Sequence, residues 1–131
     1  MNIRGPWIEH LMQDEGLSYP DASALLDGWE FHPYVEDGEH MATLIKRGAE
    51  VHFAIYRQYR HQGNITARRL RAFFLPILES EGFLTTKLGE SDKTEGFIKR
   101  LGFVEMGRTS AGQKTYILTS IKPLENEACN P

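Results

Sequence analysis

A glycine turn constrains this chain more than any other feature of its sequence. Residues 59–65, which read Tyr-Arg-His-Gln-Gly-Asn-Ile, stand between an apolar, strand-like run and an arginine-rich, helix-like run. The first amides of a helix have no partner within the helix, and the helix dipole adds partial positive charge there. A strand, a short turn and a helix N-terminus together make a site for phosphate. The sequence therefore predicts an anion-binding turn at residues 59–65.

Charge is distributed unevenly along the chain. Residues 1–50 carry ten Asp or Glu against three Lys or Arg, whereas residues 57–71 contain five arginines and no acid. This cluster suits an anionic ligand, and a solvated helix face paired with acids of the first half is an alternative of equal weight. The formal net charge of −3 and the lack of a nucleic-acid-binding motif argue against a nucleic-acid partner.

Length and composition favour a single globular domain. The chain has 131 residues, of which 40% are hydrophobic and 25% are charged, and this balance is typical of soluble proteins. No apolar run is typical of a signal peptide or a membrane span. The one cysteine, Cys129, lies in a polar tail, which fits a reducing compartment. We expect one domain over residues 1–122, a tail over residues 123–131, and a cytoplasmic location.

The spacing of apolar residues predicts a mixed α+β fold. Helical spacing is present at residues 6–15, 21–26, 64–80 and 93–101. Strand-like runs occupy residues 40–46, 50–57, 83–88, 103–108 and 114–120. Residues 28–37 are aromatic and read as irregular. The first two strands and the last two strands are expected to form antiparallel hairpins.

Two motifs, at residues 60–65 and at residues 91–103, resemble those of the GNAT superfamily of acyl-CoA-dependent N-acyltransferases. Residues 60–65 resemble the family's Arg/Gln-x-x-Gly-x-Gly/Ala turn, whose backbone amides hold the CoA pyrophosphate. Residues 91–103 resemble the family's Asn-x-x-Ala-x-x-Phe-Tyr-Glu-Lys-Leu-Gly-Phe element. The resemblance covers about residues 40–120. It implies a central, twisted, mostly antiparallel sheet with helices on both faces.

The resemblance also implies ligands and binding residues. The expected co-substrate is acetyl-CoA or another acyl-CoA, and the acceptor is an amine of a small molecule or a protein. No metal is expected, because the histidines show neither paired spacing on a helix face nor cysteine partners. The residues that the resemblance assigns to the cofactor are Ile55, Arg57, Arg60, His61, Gln62, Gly63, Asn64, Ile65, Arg68 and Ser91.

Two residues of the strand before the turn are candidates for proton transfer. His52 and Tyr56 share one face of that strand by their spacing. The ordinary pKa of histidine lies near neutral pH, so His52 could take a proton from the amine. Tyr56 could donate one to the departing thiolate. Packing in the core is the alternative for both. Glu39, His40 and Glu50, near the hairpin ends, are weaker candidates.

Departures from the family pattern support a second hypothesis. Ile65 stands where the family has Gly or Ala, and Ser91 replaces an asparagine. Ile98 replaces the tyrosine that the family often uses as a general acid, and isoleucine has no proton to donate. The second hypothesis is therefore a catalytically inactive GNAT fold that serves as a binding or structural protein.

A narrower resemblance accompanies this second hypothesis. Residues 20–23, 59–63 and 97–102 resemble the GNAT-like internal virion proteins of short-tailed phages, which also carry an aliphatic residue in place of the tyrosine. This resemblance implies a phage or host protein as partner. It also implies a location in the virion or in the host cytoplasm.

Overall fold

The computed structural model describes residues 3–59, 65–88 and 94–121. They form two compact units, and the boundary between these units in the sequence falls between Asn64 and Ile65. The first unit contains α1 (Arg4–Glu15), α2 (Tyr19–Leu25), β1 (Glu30–Glu36), β2 (Glu39–Arg47), β3 (Glu50–Ile55) and a 3-10 turn at Arg57–Tyr59. The second unit contains α3 (Ala67–Glu81), β4 (Leu84–Leu88), α4 (Glu95–Leu101), β5 (Val104–Arg108) and β6 (Lys114–Leu118). The predicted tail, residues 123–131, lies outside the described residues.

Strands β1, β2 and β3 pair antiparallel in the order of the sequence. Asp37 and Gly38 connect β1 to β2 with φ angles of 52° and 77°. Two central residues with positive φ make the tight turn whose twist matches that of paired strands. The prediction that residues 28–37 are irregular is therefore wrong. Pro33 is compatible with β1 because this strand lies at the edge of the sheet.

Strand β2 contains a bulge opposite β1. Tyr34 pairs with Ala42 and Val35 pairs with His40, so Met41 is an extra residue on β2. In a regular strand, the side chains of residues 40 and 43 would point to opposite faces of the sheet. An extra residue reorients the side chains beside it. The bulge accounts for the hydrogen bond that joins His40 and Thr43.

Helices α1 and α2 share one hydrophobic core with the sheet of the first unit. Its buried residues are Trp7, Ile8, Ala22, Leu26, Ile45 and Ala54. Full burial of one large apolar side chain contributes about 1.5–3 kcal/mol. Arg4 of α1 reaches the end of α2, where it donates to the Asp27 carboxylate at 3.1 Å and to the Leu26 carbonyl at 3.3 Å. The core and these polar contacts hold α1 beside the sheet.

Helix α3 begins at Ala67, later than the predicted residue 64. The side chain of Thr66 accepts a hydrogen bond from the Arg69 amide at 3.2 Å, which makes Thr66 the N-cap. A threonine oxygen in this position satisfies one of the amides that a helix start leaves unpaired. Thr66 thus sets the start of this helix.

Glu95 connects α4 to β6 in the second unit, where β4, β6 and β5 pair antiparallel. Its carboxylate accepts hydrogen bonds from the Tyr116 hydroxyl at 2.6 Å, from Lys114 at 3.1 Å and from Lys99 at 3.3 Å. The bond from Tyr116, followed by that from Lys114, lowers the pKa of Glu95 to about 2. Because these partners favour the ionised form, the connection weakens when Glu95 is protonated.

We predict that Glu95→Gln lowers the thermal stability near neutral pH and reduces its dependence on acid. The pKa of Glu95 is about 2 in the folded protein against an ordinary 4.5. The stabilisation is therefore present above the ordinary pKa and is lost as the pH falls toward the folded one. Thermal unfolding followed by circular dichroism between about pH 7 and pH 2.5 measures this effect. Glu79→Gln, an exposed position on α3, should match wild type. Identical acid curves for wild type and Glu95→Gln would contradict the prediction.

Candidate functional site

A cavity of about 410 Å³ lies within the first unit, beside the end of β3. One wall is a stripe of α1, whose residues recur at intervals of three and four and so share one helix face. Trp7 and Ile8, on another face of α1, are buried in the core. The residues lining the cavity are Pro6, Glu9, His10, Gln13, Asp14, His40, Tyr56, Arg57 and Gln58.

Three side chains form a hydrogen-bond chain at this cavity. The Nε2 atom of His40 is 2.6 Å from the Thr43 Oγ1 atom, and Thr43 Oγ1 is 2.7 Å from the Tyr56 hydroxyl oxygen. Thr43 is fully buried, whereas His40 and Tyr56 both line the cavity. The two rings meet edge to face, with 5.2 Å between their centroids. One buried hydroxyl therefore joins two side chains of the cavity wall.

Burial shifts the pKa of both end groups toward their uncharged forms. It raises the pKa of Tyr56 to about 12, and the hydrogen bond with Thr43 offsets part of this effect. It also lowers the pKa of His40 from the ordinary 6.5, and the backbone of Ala42 acts in the opposite direction by less. Desolvation has this effect because it penalises charge. At neutral pH the phenol is protonated and the imidazole is neutral.

Arg57 and Asp14 form an ion pair at the edge of the cavity. Their Nη2 and Oδ1 atoms are 2.6 Å apart, and the other Asp14 oxygen is 3.3 Å from His10 Nδ1. The sequence assigned Arg57 to a phosphate, and in the structure its guanidinium bonds a carboxylate of α1. The side chain is 62% exposed, so a phosphate could compete with Asp14 for it.

His52 lies at the opposite end of β3 from Tyr56. Its Nε2 atom is 2.8 Å from Glu50 Oε2, and its ring meets that of Trp29 edge to face at 5.4 Å. Tyr56 is four positions further along the extended chain, which corresponds to about 13 Å. His52 is not among the described residues that line the cavity.

The remaining predicted residues are distributed over both units. In the first unit, Ile55 ends β3 and pairs with Ala42. In the second unit, Ile65 is half-buried, and Arg68 is exposed in the first turn of α3, which contains no acidic residue. An anion suits a helix N-terminus of this composition. Predicted residues outside the described part of the chain are Arg60, His61, Gln62, Gly63, Asn64 and Ser91.

Sequence reasoning did not identify Thr43 or Asp14, and it ranked His40 below His52. One signal for Thr43 was available, since it is the one polar residue in the apolar run 41–45. A polar side chain in such a run is expected to be buried, and buried polar groups are hydrogen-bonded. The identity of its partners depends on strand register and on the bulge at Met41, which the sequence does not show.

Neither a metal site nor a membrane-spanning helix is present in the described part of the chain. Within residues 3–59, 65–88 and 94–121, no group of three or more His, Cys, Asp or Glu side chains is arranged to hold a metal ion. In the same ranges, no helix combines the length and the apolar character that crossing a membrane requires.

The structure is similar to solved acetyltransferases, although no protein-family model and no curated protein matches the sequence. An aminoglycoside 6′-N-acetyltransferase complexed with coenzyme A matches with a TM-score of 0.63 and 12% identity, over 93% of each chain. The Escherichia coli ribosomal-protein-S18-alanine N-acetyltransferase matches with a TM-score of 0.53 and 17% identity, over 84% of this chain and 81% of that one. An uncharacterised Bacillus halodurans protein matches with a TM-score of 0.66 and 14% identity, over 87% and 76%.

This chain therefore has the fold of the GNAT acetyltransferases. The predicted mixed fold with a mostly antiparallel sheet is confirmed by its elements and by these neighbours. Because the identities are between 12% and 17%, the likeness is one of fold. The narrower resemblance to phage internal virion proteins receives no support from it.

We predict that Tyr56→Phe lowers the free energy of unfolding by about 1 kcal/mol, the net contribution of a typical hydrogen bond. The substitution keeps the ring and removes the hydroxyl that Thr43 contacts. Urea unfolding followed by tryptophan fluorescence measures the change. Tyr19→Phe is the matched control, since Tyr19 is 60% exposed and should tolerate the change. Equal stabilities of Tyr56→Phe and wild type would show that this hydrogen bond contributes nothing.

Proposed function

We propose that this protein is an acyl-CoA-dependent N-acyltransferase that transfers an acyl group, most simply acetyl, to a primary amine by direct attack on a bound thioester. The observation that carries the proposal is the cavity beside the end of β3, with Tyr56 in its wall. It occurs in a fold shared with a CoA-bound N-acetyltransferase over 93% of both chains.

The described residues near the glycine turn are compatible with a CoA phosphate. Arg68 is exposed in the first turn of α3, and this turn contains no acidic residue. Guanidinium groups bind phosphates in bidentate geometry. Thr66 already bonds the Arg69 amide, so we assign the pyrophosphate to the turn that precedes Thr66 and to Arg68. The acyl-CoA supplies the activated acyl group. The residues proposed to hold it are Ile55, Arg57, Arg60, His61, Gln62, Gly63, Asn64, Ile65, Arg68 and Ser91.

The cavity is the proposed site of the amine acceptor. Its volume of about 410 Å³ falls in the range of small-molecule pockets, about 300–1,000 Å³. The carboxylates of Glu9 and Asp14 in its wall attract an alkylammonium group electrostatically. A small amine or an exposed amine of a protein fits this description.

Tyr56 is proposed to act through hydrogen bonding and not as an acid for the thiolate. Its pKa of about 12 is about 3.5 units above that of an ordinary thiol, which makes proton donation to a thiolate unfavourable by about 5 kcal/mol. The sequence proposed His52 as the base, but Glu50 and Trp29 hold it at the other end of β3. Because His52 is not among the described residues that line the cavity, we do not assign the proton transfer to it.

Isothermal titration calorimetry with acetyl-CoA tests the proposal. We predict that Arg68→Ala weakens binding about tenfold or more, because a hydrogen bond to a charged group contributes about 1.5–3 kcal/mol. Arg71→Ala is the matched control on the same helix, since Arg71 donates to the Arg100 carbonyl within the second unit, and it should change the affinity much less. Absence of binding to wild type at millimolar acetyl-CoA would contradict the proposal.

A catalytically inactive binding or structural protein is the second candidate. It is favoured by Ile98, which is 7% exposed in α4 where the family often has its acidic tyrosine. A partner in a phage particle or an infected host belongs to this alternative and depends on the sequence resemblance alone. Binding of CoA without turnover of any amine in a broad panel would support this candidate. Turnover that depends on Arg68 would exclude it.

A further inference from the structure

We infer that His40 is the terminal base of a proton relay that takes a proton from the acceptor amine through the hydroxyls of Tyr56 and Thr43. The inference rests on the proposed function and adds to it a base that the family resemblance does not assign. The two hydrogen bonds of the relay, at 2.6 Å and 2.7 Å, both have lengths suited to proton transfer along hydroxyl groups.

The backbone holds the relay in place. Strand register places Thr43 opposite Ala54, and the Tyr56 amide donates to the Met41 carbonyl at 2.9 Å, which continues the β2–β3 ladder beyond Ile55. Met41 is also the bulged residue of β2. The same residue therefore fixes the backbone of Tyr56 and reorients the side chain of His40 toward Thr43.

The direction of the relay depends on the tautomer of His40. We assign the ring proton to Nδ1 because the relay requires Nε2 to accept from Thr43, which lies 2.6 Å away. Nδ1 itself is buried and has no hydrogen-bond partner among the described residues. Nε2 then accepts from Thr43, and Thr43 accepts from Tyr56. The Tyr56 proton points into the chain, so the lone pairs of its oxygen are left to accept an N–H from a ligand in the cavity.

The proton balance of the step follows from this direction. The alkylammonium group that enters the cavity first releases one proton to solvent. As the neutral amine nitrogen then forms its bond to the thioester carbonyl carbon, the carbon–sulfur bond breaks and its electron pair leaves with the sulfur. The amine passes one proton to Tyr56, Tyr56 passes its own to Thr43, and Thr43 passes its own to His40 Nε2. His40 ends as an imidazolium, both hydroxyls are restored, and the thiolate takes a proton from water. His40 later returns its proton to solvent.

Charged neighbours bear on the imidazolium that forms. Carboxylates stabilise it, and a guanidinium opposes it. The titratable or charged residues that share the cavity wall with His40 are Glu9, His10, Asp14, Tyr56 and Arg57. Asp14 has Arg57 and His10 as partners, whereas the Glu9 carboxylate accepts a hydrogen bond from the Gln13 side-chain amide at 3.1 Å.

Nuclear magnetic resonance of the ligand-free, full-length protein tests the relay independently of activity. The ¹⁵N side-chain spectrum of wild type should show His40 with its proton on Nδ1. Thr43→Val keeps the volume of the side chain and removes the hydroxyl, so it should change both the tautomer balance and the pKa of His40. Thr115→Val is the matched control, because it removes a strand hydroxyl that donates to the Gly107 carbonyl in the second unit. It should leave the His40 signals unchanged.

Steady-state kinetics with acetyl-CoA and a primary amine tests the catalytic role. Thr43→Val and His40→Gln should each lower kcat about 100-fold or more, the usual effect of losing a general base, with little change in KM for acetyl-CoA. The double variant should lose no more than either single variant, because both belong to one relay. The acid limb of the pH profile should disappear in His40→Gln. Circular dichroism confirms that each variant is folded.

Each outcome identifies which idea has failed. Wild-type kcat and an unchanged pH profile in folded Thr43→Val would overturn the relay and leave the proposed function standing. A proton on Nε2 in the resting protein would also overturn it, because the chain would then run from His40 to Tyr56. Acetyl-CoA binding without turnover of any amine by wild type would overturn the proposed function and, with it, the catalytic role of His40.

Discussion

The buried hydroxyl of Thr43 is the group on which the candidate site depends. A buried hydroxyl without a partner costs about 1–3 kcal/mol, so a threonine with no solvent exposure must be bonded within the protein. Its partners are His40 and Tyr56, which both form hydrogen bonds with the same oxygen atom. This requirement holds two side chains of the cavity wall in a fixed relation. A residue of the core therefore positions two side chains of the candidate site.

The asymmetry of charge along the sequence has a structural counterpart within the first unit. The cavity wall from α1 contributes Glu9 and Asp14, and Arg57, from the basic half of the chain, meets Asp14 there. Both readings of the arginine cluster were left open by the sequence. For Arg57 the contact in the structure is a carboxylate. A phosphate would have to compete with that ion pair, which is exposed and therefore weak.

Two observations bear in opposite directions on catalysis. Ile98 is a buried residue of α4, and its side chain cannot donate a proton as the tyrosine that the family often has at this position does. Tyr56 and His40 instead form a hydrogen-bonded pair through Thr43 in a wall of the cavity. In the proposed reaction, this protein lacks the general acid that protonates the thiolate. It has instead a general base that takes a proton from the amine. An ordinary thiol has a pKa of about 8.5 and an ordinary amine one of about 10.4. Near neutral pH a thiolate can therefore leave without an acid more easily than an amine can lose its proton without a base.

The sequence by itself determined the elements whose cause is local. The alternation of side chains predicted β2 and β3, and helical spacing of apolar residues predicted α3. The position of Tyr56 in the strand before the glycine turn made it a candidate for proton transfer. Strand β1 was missed because Pro33 and its aromatic neighbours obscure the alternation, although Asp37-Gly38 was a usable hairpin signal. Tertiary structure alone decided that His40, and not His52, accompanies Tyr56. Pairing register and a bulge are set by contacts between strands distant in sequence, and a shift of one residue changes which side chains share a face.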